Sequence, residues 1–147
     1  MQVIRGFDSG DATWVGGSVK VLLLTSEAEN GQMSLRLARL GGQVEVMGEL
    51  FTALAAVIDD PVGYGLFVID CDSPGVDGLE GGRRALQMLG DLTSRIPVIL
   101  VSGTCGEQRF PDDHAAPTEL RAPLSALSLK MGYEHALRDR LMLYAAE

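Results

Sequence analysis

The residues of this chain whose types and spacing suit chemistry gather in four short polar clusters: Thr25-Ser26-Glu27, Asp70-Cys71-Asp72, Ser102-Gly103 and the stretch around Arg121–Pro123. They offer mainly carboxylates and hydroxyls, hard oxygen donors suited to hard cations and to group transfer. Other chemistries are excluded by what the spacing lacks. His114 and His135 lie far from Cys71, Cys105 and each other, which rules out a metal centre built on Cys/His spacing. No Gly-x-Gly-x-x-Gly follows the first apolar run and no Gly-Lys-Ser/Thr occurs, so neither common phosphate cradle is present.

The clusters follow elements that have to position them. Val19–Thr25 (VKVLLLT), Leu66–Ile69 and Ile96–Ser102 (IPVILVS) are short β-rich runs that read as buried strands. Gln43–Met47 alternates, as a strand with one wet face does. Met33, Leu37 and Leu40 recur at helical spacing before a Gly41-Gly42 stop; Leu50, Leu54, Val57 and Ile58 mark a second helix, and Leu79, Leu86 and Leu89 a third. Asp72-Ser73-Pro74-Gly75 is a turn. From Leu124 onward Leu127, Met131, Leu137 and Leu141 lie near helical spacing, with Ser125 as N-cap. Strands that alternate with helices and read as continuous Val/Ile/Leu runs predict an α/β fold, a doubly wound parallel sheet covered on both faces. In that architecture chemistry gathers at the carboxyl ends of the strands, and all four clusters fall there.

Residues 1–18 show no period and read as an irregular lead-in, with Trp14 expected to fold back onto the domain; 19–147 read as one domain. Twelve Lys and Arg against twenty Asp and Glu leave a net charge of −8, which disfavours nucleic acid and anionic membrane surfaces as partners. No apolar run approaches the ~20 residues of a membrane span, and no secretory leader is visible, so a cytoplasmic location is expected.

Leu66–Leu86, LFVIDCDSPGVDGLEGGRRAL, resembles the receiver domain of two-component response regulators: its third strand, phosphoacceptor Asp, Pro-Gly-x-Asp-Gly turn and third helix. Ile96–Gly103 is similar to the fourth strand with its switch hydroxyl, Val19–Asn30 to the first strand and loop, and Arg121–Leu129 to the Lys-Pro junction before the last helix. The resemblance covers about residues 19–143. It implies a flavodoxin-like receiver fold with five parallel strands in the order 2-1-3-4-5. Asp70 falls on the phosphoacceptor and Ser102 on the hydroxyl that in the family bonds a phosphoryl oxygen. Asp72 falls on the residue whose backbone carbonyl ligates magnesium.

Other positions depart. The family's acidic pair falls on Thr25 and Ser26, its Lys on Ala122 with Arg121 one place off, and its switch aromatic on Glu119. Phosphoryl transfer to a carboxylate needs a divalent cation, and Mg²⁺ is held through carboxylates. With two acids and one base missing, Asp70 and Asp72 imply weak magnesium binding or none and no other cofactor. Glu27, one residue along, could reach round, but adjacent residues on a strand point to opposite faces. Between Ser102 and Pro123, Pro111 and Pro117 interrupt the pattern, so the fourth helix is expected to be short or lost. The resemblance therefore implies a degenerate receiver, not an enzyme, that acts by contact with a histidine kinase, a phosphotransferase or another signalling protein. It would stand alone or belong to a hybrid kinase or regulator. The rival readings are a working single-domain regulator phosphorylated at Asp70 and, remotely, a small doubly wound enzyme or nucleotide/flavin binder.

The remaining residues have plain readings. Cys71 and Cys105 follow neighbouring strands and could form a redox pair, but two free thiols, with Cys71 facing the core, is the favoured reading. His114, His135 and Asp112-Asp113 are expected in solvent, and Arg83-Arg84 and Arg138-Asp139-Arg140 on ordinary helix faces. Gly81-Gly82 weakens the third helix by about 1 kcal/mol per residue relative to Ala, with packing as its preferred explanation.

Overall fold

The computed structural model describes residues 19–139; the lead-in with Trp14, together with Arg140 and Leu141, lies outside them. Five strands, β1 (Val19–Leu24), β2 (Gly42–Met47), β3 (Leu66–Asp70), β4 (Val98–Ser102) and β5 (Thr118–Arg121), form one sheet in the order β2-β1-β3-β4-β5. Every pair is parallel. Four helices accompany them: α1 (Gln32–Arg39), α2 (Leu50–Asp59), α3 (Gly78–Leu89) with a 3₁₀ turn after it (Gly90–Ser94), and α4 (Ala126–Ala136). This is the flavodoxin-like receiver topology.

Side chains alternate across each strand, and both faces are apolar, so the sheet builds two cores. Leu22, Leu24, Phe67, Ile69, Val98 and Leu100 pack against α2 and α3, with Leu54, Val57, Leu86 and Leu89 facing them. Val21, Leu23, Val68, Ile99, Val101 and Leu120 pack against α1 and α4, with Leu37, Leu129, Tyr133 and Leu137 facing them. Register then aligns the strand ends. Leu24 lies opposite Ile69 and Asp70 opposite Val101, so Thr25, Asp70 and Ser102 emerge along one edge.

Four expectations need correction. Leu127 and Met131 do not face the core; they are 66% and 50% exposed, and α4 buries Leu129, Gly132, Tyr133 and Leu137 instead. The reason is Gly132: a Cβ there would come within 2.8 Å of Leu120, so the absent side chain lets α4 settle on β5. Ile58 is likewise exposed, at the solvent side of α2. His135 is half-buried, stacked edge-on against Phe110 with centroids 5.7 Å apart, and its Nε2 lies 2.6 Å from the Pro111 carbonyl. Arg138 bonds the carbonyls of His135 and Asp112 rather than lining an ordinary wet face. His114 is exposed as expected, 2.5 Å from Asp139.

Between β4 and β5, residues 103–117 form no helix; Arg109 and Glu119 instead make a single antiparallel bridge. Gly81 and Gly82 serve packing, as expected. A Cβ on Gly81 would sit 1.5 Å from the Val76 carbonyl, and one on Gly82 2.5 Å from the Cys71 sulfur. Both cysteines are buried and free.

Candidate functional site

Asp70 ends β3 half-buried, and the chain turns at once. Its backbone carbonyl accepts from the Ser73 amide, and the Cys71 carbonyl accepts from the Gly78 amide at 2.9 Å. Asp77 closes the turn with φ of 71°, a left-handed conformation that short polar side chains tolerate best after glycine. These bonds hold the Asp70 carboxylate at the edge of the sheet. Its Oδ1 accepts from the Asp72 amide at 3.2 Å and its Oδ2 from the buried Thr25 hydroxyl at 2.9 Å.

The structure thus brings Asp70 and Thr25 together, and it brings Ser102 to Asp72 rather than to Asp70. Ser102, fully buried, donates its hydroxyl to Asp72 Oδ1 at 2.7 Å, while the Gly103 amide donates to Asp72 Oδ2 at 2.7 Å. Since the only hydroxyl hydrogen of Ser102 points at Asp72, the Thr104 hydroxyl 2.9 Å away donates to Ser102. Thr104 in turn accepts the Leu79 amide at 3.0 Å, in the first turn of α3, where the Asp77 side chain supplies no cap. Sequence reasoning missed Thr104; the trace it leaves is a second hydroxyl two residues past Ser102.

The departing positions have definite places. Ser26 is exposed, and its amide donates to the Ser73 hydroxyl at 3.0 Å. Glu27 does not reach round to Asp70. Its side chain turns toward Gly31, where a Cβ would meet its Oε1 at 2.8 Å. Ala122 is half-buried and its amide donates to the Ser102 carbonyl. The Arg121 guanidinium is held away from Asp70 by the carbonyls of Cys105 and Gly106, which it bonds.

Glu119 is 4% exposed, and Arg83 reaches it from α3 with two parallel bonds, Nε to Oε2 at 2.8 Å and Nη2 to Oε1 at 2.7 Å. Arg83 is therefore no ordinary surface residue. Paired acids, Glu119 first, hold its guanidinium above its ordinary range against the opposing effect of burial. Burial also pushes the Cys71 thiol up to about 12, the protonated and unreactive form of a cysteine.

Magnesium favours octahedral oxygen coordination with one or two carboxylates. Of Thr25, Ser26 and Asp70 only Asp70 is an acid, and the Asp72 carboxylate is turned away to Ser102 and Gly103. Among the described residues no group of three or more His, Cys, Asp or Glu is arranged to hold a metal. The donor set does not fit the ion well.

No protein-family model matches this chain, and no curated protein does. Solved structures do. A response-regulator receiver domain from Clostridium thermocellum is 19% identical with a TM-score of 0.64, covering 84% of this chain and 98% of its own. The receiver domain of a sensor histidine kinase from Pseudomonas aeruginosa PAO1, which holds a magnesium ion in its active-site cleft, is 18% identical with a TM-score of 0.60, covering 82% and 98%. The anti-anti-sigma factor PhyR of Bartonella quintana is 20% identical with a TM-score of 0.58, covering 84% of this chain and 50% of its own. At these identities the likeness shows a shared fold: the chain has the architecture of a response-regulator receiver domain.

Proposed function

We propose that this chain is a receiver-like module of a two-component or phosphorelay system that works by protein–protein contact, without magnesium-dependent phosphorylation at Asp70. The observation that carries the reading is the Thr25–Asp70 hydrogen bond: a hydroxyl, not a second carboxylate, faces the phosphoacceptor position. With Ala122 at the Lys position and Arg121 engaged by loop carbonyls, neither residue of that junction supplies a cation to pair with a phosphoryl group. Phosphoryl transfer rests almost wholly on positioning and charge neutralisation, and both are weakened by these substitutions.

The partner fits the same description: a histidine kinase, a phosphotransferase or another signalling protein, met inside the cell. Among the described residues no helix is long and apolar enough to cross a membrane. A module with no ligand to bias two states holds one conformation and binds in it. Asp70→Asn is therefore expected to leave partner affinity unchanged within about twofold, less than ~0.5 kcal/mol. Leu127→Glu on the exposed side of α4 should weaken it. Co-purification with the wild type and both variants tests this. Loss of the interaction in Asp70→Asn but not in Leu127→Glu would favour a regulator switched at Asp70.

A further inference from the structure

We propose that the Asp72 carboxylate is a built-in anion, filling a notch made by the Ser102 hydroxyl and the Gly103 amide that would otherwise accept an oxyanion of the phosphate class. This goes beyond the reading above and holds whether or not Asp70 is ever modified.

Two observations carry it. Both carboxylate oxygens are used, each on a different donor, and each bond is 2.7 Å, the short length of a charge-assisted pair. Ser102 has no solvent exposure, so its hydroxyl depends on a protein acceptor or a bound ligand.

The notch is also wired to α3. The Leu79 amide donates to the Thr104 hydroxyl, Thr104 donates to Ser102, and Ser102 donates to Asp72. Every donor in this chain points toward one negative charge, and each bond polarises the next. The chain begins in the first turn of α3, at the positive end of the helix dipole. One carboxylate thus sets the conformation of residues 102–104 and ties it to α3. An external anion would have to displace a tethered one that is always present at high effective concentration.

The test is amide chemical shift on uniformly labelled protein, with inorganic phosphate as probe. In the wild type, phosphate should leave the Gly103 amide in place. In Asp72→Ala the Gly103 and Leu79 amides should both move upfield, and phosphate should then shift Gly103 back saturably, with affinity at least about tenfold above the wild type. The titration is repeated with Asp70→Asn added, which removes the repulsion of the neighbouring carboxylate. Asp72→Asn keeps the volume but not the charge, and should move the same two amides if Asp72→Ala fails to fold. Wild-type positions for both amides in the folded variants would overturn the proposal. So would a Gly103 amide unresponsive to phosphate in both backgrounds, or equally responsive in the wild type. Phosphorylation at Asp70 is read separately by mass, so the two accounts fail independently.

Discussion

The turn between β3 and α3 and the segment between β4 and β5 meet the same edge of the sheet, yet they are built by different means. The first is backbone architecture. Residues 70–78 are held by main-chain bonds and a left-handed Asp77, with two glycines letting α3 close on the turn. The second is side-chain architecture. Residues 103–117 carry no helix, and β5 is tied to α3 by the Arg83–Glu119 fork and to its own loop by Arg121. One fold can therefore carry both kinds of construction at the carboxyl ends of its strands. Thr25 bonds Asp70, Asp72 takes the Ser102 hydroxyl, and Glu119 is paired with Arg83.

Breaking the second region should have the larger effect. Arg83→Ala leaves the buried Glu119 carboxylate only the exposed Arg109 guanidinium, 3.8 Å away, and should cost up to about 3 kcal/mol. Arg83→Met with Glu119→Leu, which removes both charges, should recover most of that loss. Denaturant midpoints of the three proteins check this. If Arg83→Ala and the double variant are equally unstable, the cost belongs to packing and not to the loss of the fork on Glu119.

In the first region, Gly81→Ala forces a Cβ onto the Val76 carbonyl, which backbone shift alone can relieve. About 1–3 kcal/mol is expected, as for other overpacked sites. Gly106→Ala, with open space around it and no left-handed backbone, is the control for glycine replacement as such, and a comparable loss there would remove the packing argument. A smaller effect belongs to Thr25→Val, which keeps the shape and deletes the donor to Asp70; roughly 1 kcal/mol is expected because Asp70 is half-exposed and retains its bond from the Asp72 amide.

Cys71 reports on the first region without any substitution. Burial raises its thiol from about 8.5 in the unfolded chain to about 12. The protonated thiol contributes its stability in full below the unfolded value and loses it as pH rises through the folded one. Iodoacetamide should leave Cys71 unlabelled in the native protein at neutral pH and label it on unfolding. Native labelling would mean that the β3–α3 turn opens readily.

Much of this was legible in the residues. Strands β1, β3 and β4 are continuous apolar runs because both their faces are covered, and the sequence marks them within a residue or two. The polar clusters at their ends mark the site edge for the same reason. The phase of α4 was hidden, because leucines at 127 and 137 and a methionine at 131 suggest a stripe that Gly132 overrides. Contacts between distant polar residues were hidden too. Nothing in the spacing of Arg83 and Glu119, or of Asp72 and Ser102, announces a bond, since each pair meets only after the sheet has aligned its strands. His135 reads as a surface residue until the loop carrying Phe110 and Pro111 lies across it.

The measurement that bears most directly on the central claim is the intact mass of the wild-type protein after incubation with Mg²⁺ and acetyl phosphate, beside the variant Thr25→Asp, Ser26→Asp, Ala122→Lys. The wild type should keep its mass, while the triple variant, regaining two acids and the base, should add one phosphoryl group that Asp70→Asn abolishes. An unmodified but folded triple variant would place part of the deficit in the loop of residues 103–117 and in Asp72. A wild-type protein that gains a phosphoryl group at Asp70 would contradict the account.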